Sequence, residues 1–316
     1  KQALPIRQQI GNQADVGAVL NNIAGIYHEQ GDTEKALTYL KQALAIEQQV
    51  SDKVGEAHEL NTLNNIAGIY YEEGDIDTAL PYYKQALAIQ QQIGDKAGEG
   101  TTLGVIANIY RTQGKFESAL SYAKEALAVY QQIGDQAKEG ISFNVIGDIY
   151  HAQGNYKVAL TYFKQSFAIR QQIGDRSGEG KILNNISQTY HEQGDYEMAQ
   201  FYLRQALIIA QETNDKVVLC TTLLNMGNAH AQNNEVQEAV NVWVNSYIIA
   251  KDINEYQVLQ ALASLATQLG LPEGLEGWER LAQRIQRGEK IEVGQREKVS
   301  ELKQIRRFVA GLFQVV

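Results

Sequence analysis

A block of about 40 residues recurs six times along this chain, and this repetition constrains the fold more than any other feature. The six blocks align without internal gaps and begin at residues 21, 64, 104, 144, 184 and 224. Neighbouring blocks are therefore 43 residues apart once and 40 residues apart four times. A unit of this size cannot bury its apolar face alone, so successive units must stack. The repetition predicts an extended array of similar units.

Each block has the pattern of two helices. In the fourth block, Phe143, Ile146, Gly147 and Tyr150 are spaced i, i+3, i+4 and i+7, which places them on one helical face. A turn glycine follows, and a second helix of the same periodicity comes after it. A second stop then occurs at Gly or Asn, the residues that best tolerate a left-handed backbone. The residue after each stop is an aspartate suited to cap the next helix (Asp95, Asp135, Asp175 and Asp215).

The repeats define the predicted organisation of the chain. Six full repeats cover residues 12–252, and a partial repeat over 1–11 precedes them, because Lys1–Leu4 matches Lys41–Leu44 in sequence. This start inside a repeat predicts that the chain is a piece of a longer protein. Residues 253–316 are predicted to form a degenerate repeat and capping helices, the last of them amphipathic and basic over 299–316. That helix covers the open end of the array or, as an alternative, associates with a second chain.

Composition and motifs exclude several classes of function. The net charge of −9 does not suit nucleic-acid binding, and no apolar run is long enough to span a membrane. Cys220 is the single cysteine, and no phosphate-binding loop or catalytic triad occurs. His28, His151 and His191 recur one repeat apart or more, too far apart to share a metal ion. We therefore predict no catalytic residue, no metal and no cofactor, and with no signal peptide the predicted location is the cytoplasm.

The small and aromatic positions of the blocks resemble those of tetratricopeptide repeats. This resemblance implies an all-α, right-handed α-solenoid. The longer spacing is most similar to arrays of the LGN/Pins and kinesin light chain type, and similar arrays form sensor arms of signalling ATPases and caspase-like proteases. The residues that match are a small one (Ala24, Ala67, Ala107, Gly147, Ser187, Gly227), an aromatic one or its substitute (Tyr27, Tyr70, Tyr110, Tyr150, Tyr190, His230) and the alanine of the second helix (Ala36, Ala79, Ala119, Ala159, Ala199, Ala239).

The resemblance also implies a peptide-binding groove along the first helices. In arrays of this type, asparagines on the concave stripe hold the backbone of an extended peptide. The matching positions carry valine in the third and fourth repeats, which predicts an apolar patch there. The candidate peptide-binding residues are Asn22, Asn65, Asn108, Asn185, Asn225, Asn228, Val105, Val145, Asp148, Arg111, Lys181 and Tyr71.

Asparagine suits such a groove because its carboxamide donates and accepts hydrogen bonds at once. It can pair with the N–H and C=O groups of a peptide main chain without selecting side chains. The same asparagines could instead satisfy buried groups of an adjacent helix. For the column that precedes them (Asn21, Asn64, Asn144 and Asn184), this packing role is the preferred interpretation.

The functional hypothesis is a protein-interaction scaffold whose concave face binds an extended peptide or a disordered partner segment. A regulatory or sensor arm of a larger signalling ATPase or protease is one alternative. Self-association through the C-terminal helix is another. Nucleic acid is excluded as a partner by charge, and a membrane partner is disfavoured.

Overall fold

The computed structural model describes residues 13–49, 53–233, 235–269, 274–287 and 289. These residues form fourteen α-helices, and the described part of the chain contains no strand. The helices are α1 (Gln13–Glu29), α2 (Thr33–Glu47), α3 (Lys53–Glu72), α4 (Ile76–Ile93), α5 (Lys96–Thr112), α6 (Phe116–Ile133), α7 (Gln136–Ala152), α8 (Tyr156–Ile173), α9 (Arg176–Glu192), α10 (Tyr196–Thr213), α11 (Lys216–Gln232), α12 (Val236–Asp252), α13 (Tyr256–Gln268) and α14 (Leu275–Gln286).

The predicted helix stops and caps are confirmed. Gly94, Gly134 and Gly174 end α4, α6 and α8 with φ of 76°, 72° and 73°, and Asn214 ends α10 with φ of 52°. Only glycine and a few polar residues adopt this left-handed conformation at low cost. The aspartate that follows each stop accepts a hydrogen bond from the backbone N–H three residues later, as Asp95 does from Gly98.

Contacts between helices divide the chain into two compact units, and the boundary lies between Gln153 and Gly154. Unit 1 contains the hairpins α1–α2, α3–α4 and α5–α6, with α7 packed on α6. Unit 2 contains α8 and the hairpins α9–α10, α11–α12 and α13–α14. Each unit is thus a stack of helical hairpins, and the predicted all-α solenoid class is confirmed. The boundary that the repeats suggest at residue 252 stays a prediction.

The alanine and tyrosine columns hold these stacks together. All six alanines of the second-helix column, from Ala36 to Ala239, are completely buried. The repeat tyrosines are half-buried, and four of them stack on a tyrosine of the following helix, with ring centroids 5.5 Å apart for Tyr110 and Tyr122. A lysine from the preceding hairpin bonds to the repeat tyrosine, as Lys84 Nζ does to the Tyr110 hydroxyl at 3.0 Å. The columns therefore serve packing within and between hairpins.

Two departures from the regular repeat are also visible. Helix α3 has 20 residues where the other first helices, α1, α5, α7, α9 and α11, have 17, as the three extra residues near His58 predict. Helices α13 and α14 occupy the predicted degenerate repeat, where Trp278 packs edge-on against Trp243 with ring centroids 6.0 Å apart. The predicted partial repeat over 1–11 and the amphipathic helix over 299–316 lie outside the described residues.

Candidate functional site

The largest group of predicted site residues meets at one cavity in unit 1. We call it the unit 1 cavity; its volume is about 340 Å³, and it opens beside α3, α5 and α7. Four predicted residues line it: Tyr71, Val105, Asn108 and Val145. The other lining residues are Tyr83, Gly100, Thr101, Gly104, Ala123, Ala126, Tyr130, Lys138, Ile141 and Ser142.

Gly104, which has no side chain, is one of the residues that line the cavity. Asparagine stands at the equivalent position of four other repeats, at 21, 64, 144 and 184. A methyl group added to Gly104 would meet no neighbouring side chain within 4 Å, so the position faces empty space. The glycine was not among the residues predicted to form a site. Its signal in the sequence is that it breaks the column of asparagines.

In two of the other repeats, the asparagine at this position ties one repeat to the next. Asn21 Nδ2 donates to Thr62 Oγ1 at 2.6 Å, and Asn184 Nδ2 donates to Thr222 Oγ1 at 2.9 Å. Ser142 is the residue equivalent to those threonines in the repeat that follows Gly104. It lines the cavity, and its hydroxyl donates to the Lys138 carbonyl at 3.0 Å, as the Thr222 hydroxyl does to the Val218 carbonyl at 2.7 Å. The cavity therefore occupies the place of a missing asparagine bridge.

The asparagines of the predicted peptide-binding column are connected to these bridges. Asn65 Nδ2 donates to Asn21 Oδ1 at 2.7 Å, and Asn225 Nδ2 lies 3.5 Å from Asn184 Oδ1. Asn65 is nevertheless exposed, as is Asn22. The packing interpretation of the preceding column is thus confirmed at Asn21 and Asn184, while peptide binding by the exposed column stays a prediction.

At the third and fourth repeats the same column is apolar. Val105 and Val145 are half-buried and both line the unit 1 cavity, together with Ile141, which is 42% exposed. Valine cannot make the lateral amide bond that Asn65 makes. The loss of two polar positions beside the missing side chain of Gly104 gives the unit 1 cavity its apolar lining.

Polar side chains border the cavity and are bonded to one another. Asn108 Nδ2 donates to the Tyr71 hydroxyl at 2.9 Å. Arg111 donates to Asn108 Oδ1 through Nε at 3.0 Å and through Nη2 at 2.8 Å. Thr101 Oγ1 and the Tyr130 hydroxyl share a hydrogen bond of 3.1 Å. These bonds therefore hold the groups in place at the border of the cavity.

The carboxyl group of Asp148, a half-buried residue, lies one helical turn beyond Val145. Desolvation raises the pKa of Asp148 to about 7, although the positive charge of Arg111 and a hydrogen bond from Asn144 Nδ2, at 3.0 Å, oppose the shift. Burial favours the neutral form of a carboxyl group. Asp148 therefore changes its charge near neutral pH, beside the cavity.

The other predicted site residues belong to unit 2. Asn185 and Asn225 are half-buried, and Lys181 is exposed. Asn228 Oδ1 accepts a hydrogen bond from Trp243 Nε1 at 3.1 Å, which ties it to the second helix of its hairpin. None of these residues lines the smaller cavity of about 130 Å³ described in unit 2, which Gln200, Leu203, Arg204, Met226, Ala229 and His230 surround.

The groups considered for chemistry from the sequence are not arranged for it. Cys220 is buried, and burial raises the pKa of its thiol to about 11, so the sulfur is protonated at neutral pH. Among the described residues, no group of three or more His, Cys, Asp or Glu side chains could hold a metal ion. None of the described helices is long and apolar enough to cross a membrane.

Stacked helical hairpins with a cavity on their first helices define a helical-repeat protein of the protein-interaction class. The family model described as tetratricopeptide repeat matches residues 1–49, 58–132 and 139–212, more than half of the sequence. The chain therefore belongs to the tetratricopeptide repeat family. A second model of the same description matches 105–172, and one described as anaphase-promoting complex subunit 5 matches 186–271. No curated protein matches the sequence.

Solved structures share the fold at low sequence identity. Aspartyl phosphate phosphatase F from Bacillus subtilis is 14% identical over 93% of this chain and 77% of its own, with a TM-score of 0.68. A signal transduction ATPase with a tetratricopeptide repeat sensor, from Pyrococcus horikoshii, is 18% identical over 95% of this chain but only 42% of its own, with a TM-score of 0.63. A kinesin light chain repeat protein from Podospora anserina is 19% identical over 64% and 97%, with a TM-score of 0.54.

Proposed function

We propose that this chain is a non-catalytic scaffold that binds an extended peptide on the first helices of unit 1. The observation that carries the proposal is the unit 1 cavity, at which Tyr71, Val105, Asn108 and Val145 come together. A concave site that is mostly apolar and has a few placed polar groups is the usual form of a binding site. Tetratricopeptide repeats are a protein-interaction scaffold, so a peptide is the natural ligand for such a site.

The asparagine column supports an extended ligand. Asn22 and Asn65 are exposed in unit 1, and each carboxamide has two N–H donors and an acceptor oxygen. Asn65 uses one donor for Asn21, and the amide keeps further capacity for hydrogen bonds. A peptide main chain in extended form presents free N–H and C=O groups. The amides would hold that main chain, while the unit 1 cavity receives a side chain.

The proposal is tested by selecting peptides from a random displayed library with the full chain as bait. The selected peptides are then measured by fluorescence anisotropy against Val105→Asn and Val145→Asn, which install the residue found at this column in other repeats. We expect each variant to weaken binding about tenfold, since it replaces apolar contact in the cavity. The matched control is Val217→Asn in unit 2, where Val217 is 39% exposed and does not line the cavity.

A second set of variants tests the asparagines. Asn65→Ala is expected to weaken the peptide severalfold with little change in melting temperature, because the side chain is exposed. Asn185→Ala with Asn225→Ala tests the matching pair in unit 2. A selection that returns no peptide, or peptides that every variant binds as well as the original chain, would contradict the proposal. Unfolding of the asparagine variants with unchanged binding by the folded fraction would make those residues structural.

The two alternatives have their own tests. The similarity to an ATPase with a repeat sensor favours a sensor arm, in which the same peptide would regulate a neighbouring domain. A nucleotide-binding loop in an adjoining segment of the same gene would support that reading. Self-association is tested by light scattering of the chain with and without residues 293–316, and a constant monomer mass contradicts it.

A further inference from the structure

We propose that the unit 1 cavity selects peptides by one large apolar side chain with a carboxylate close to it. This inference rests on the proposed function and specifies its ligand. It follows from three features: the open space at Gly104, the pairing of the polar groups around that space, and the charge of Lys138.

The cavity has room for a side chain from a partner, which would gain contacts there. Gly104 faces an unfilled volume, and the side chains around it are mainly alanine, valine, isoleucine and tyrosine. Protein interiors are close-packed, and an apolar cavity loses the dispersion contacts that a filling group restores. A leucine-sized or aromatic side chain would make those contacts with Val105, Val145 and Ile141. A small side chain would leave most of the volume empty.

The polar groups at the cavity disfavour a polar side chain as the occupant. The Tyr71 hydroxyl accepts from Asn108, and the oxygen of Asn108 accepts two bonds from Arg111. The Ser142 hydroxyl donates to a backbone carbonyl of its own helix. These bonds use part of the capacity of each group and the rest of the lining is mainly apolar, so a polar side chain that enters loses more bonds to water than the cavity returns. The cavity therefore discriminates in favour of apolar side chains.

Lys138 is the reason for expecting a carboxylate in the ligand. It is the only charged side chain among the described residues that line the cavity, and its ammonium group makes no ion pair with any described residue. Arg111, the next positive charge, is bonded to Asn108. A carboxylate of the ligand near the apolar side chain would pair with Lys138. This is a complementary charge on a chain that is otherwise acidic, with a net charge of −9.

The test begins with the same library selection on the full chain. We expect the selected peptides to share one large apolar residue with Asp or Glu within one or two positions. Gly104→Asn should weaken these peptides at least tenfold, because it puts into the cavity the side chain that four other repeats carry there. Gly25→Asn is the matched control, since Gly25 is also helical and faces open space but does not line the cavity.

The charge is tested by pairing variants of the protein and of the peptide. Lys138→Gln should weaken the selected peptide severalfold, and the loss should shrink at high salt. The same variant should have no effect on a peptide whose Asp or Glu is changed to the amide. Equal losses for the two peptides would show that Lys138 acts on folding and would overturn its role.

The outcomes separate this inference from the proposed function. Peptides that are selected without a shared apolar residue, and that Gly104→Asn binds unchanged, overturn the inference while peptide binding stands. A selection that yields no peptide contradicts the proposed function itself. Circular dichroism of each variant confirms that the helices are retained.

Discussion

One position of the repeat has opposite roles at Asn184 in unit 2 and at Gly104 in unit 1. In unit 2, Asn184 is 3% exposed and bridges to Thr222, so neighbouring hairpins are joined by a buried hydrogen bond. In unit 1, the equivalent position is Gly104, the bridge to Ser142 is missing, and a cavity of about 340 Å³ takes its place. A repeat protein can therefore exchange a packing contact for a candidate binding site at a single residue, without changing its helices.

The largest expected effect is on how the free energy of unfolding depends on pH. Asp148 lies beside the cavity in unit 1, whereas the equivalent residues of unit 2, Gln188 and Asn228, carry no charge. The pKa of Asp148 is raised from 3.8 to about 7 on folding, so between these values the folded state keeps a proton that the unfolded state has released. The free energy of unfolding should therefore fall as the pH rises from about 4 to about 7, by ~2–4 kcal/mol.

Urea denaturation of the chain and of Asp148→Asn at pH 5 and pH 8 measures this contribution. The Asn variant lacks the titrating group, so its stability should change less between the two pH values. The difference between the proteins isolates Asp148 from the other titrating groups. Parallel pH dependences for the two proteins would mean that the carboxyl group is solvated in the folded state.

The next largest effect is expected from removing the bridge in unit 2. Asn184→Gly should destabilise the chain by about 2 kcal/mol, because it removes a buried hydrogen bond, leaves a void and places glycine inside a helix. Asn214→Gly is the control of the same chemistry, since Asn214 already has a positive φ that glycine adopts readily. Chemical denaturation of both variants measures their free energies of unfolding. Equal values would show that the bridge does not stabilise the chain.

The converse change in unit 1 should be stabilising. Gly104→Asn is expected to raise the free energy of unfolding by about 1 kcal/mol, through better helix propensity and a new bond to Ser142. Gly25→Asn should give only the propensity part, a few tenths of a kcal/mol. A thermal melt that shows Gly104→Asn below the original chain would mean that the cavity cannot accept the amide.

The smallest expected loss of stability comes from removing a lysine–tyrosine contact, and it should be the same in both units. Lys84 Nζ bonds to the Tyr110 hydroxyl in unit 1 at 3.0 Å, and Lys164 Nζ bonds to that of Tyr190 in unit 2 at 3.3 Å. Lys84→Met and Lys164→Met should each cost less than about 1 kcal/mol, as exposed contacts of this kind do. Peptide affinity should not change for either variant. A large loss of affinity for Lys84→Met alone would extend the binding site to this lysine.

Much of the fold could be predicted from the sequence because each signal is local and repeated. The glycines and Asn214 at helix ends, the capping aspartates and the buried alanine column all lie where periodicity and residue type indicate. The extra turn of α3 also follows from three additional residues in one repeat.

The candidate site was predictable only in part. Val105 and Val145 stand out because they replace asparagine, and both line the cavity. Gly104 does not stand out in this way, since the role of its column depends on a bond from one repeat to the next that only the three-dimensional structure reveals. The elevated pKa of Asp148 has the same origin, because desolvation depends on neighbours from other helices.

A single residue in each repeat decides whether the bridging hydrogen bond between hairpins can form. Because Asn21 and Asn184 bridge to the next hairpin and Gly104 cannot, exchanging glycine and asparagine at this column would exchange open space for a packing contact, one hairpin at a time. A designer, or natural variation, could in this way alter where the side chain of a ligand is received without rebuilding a helix.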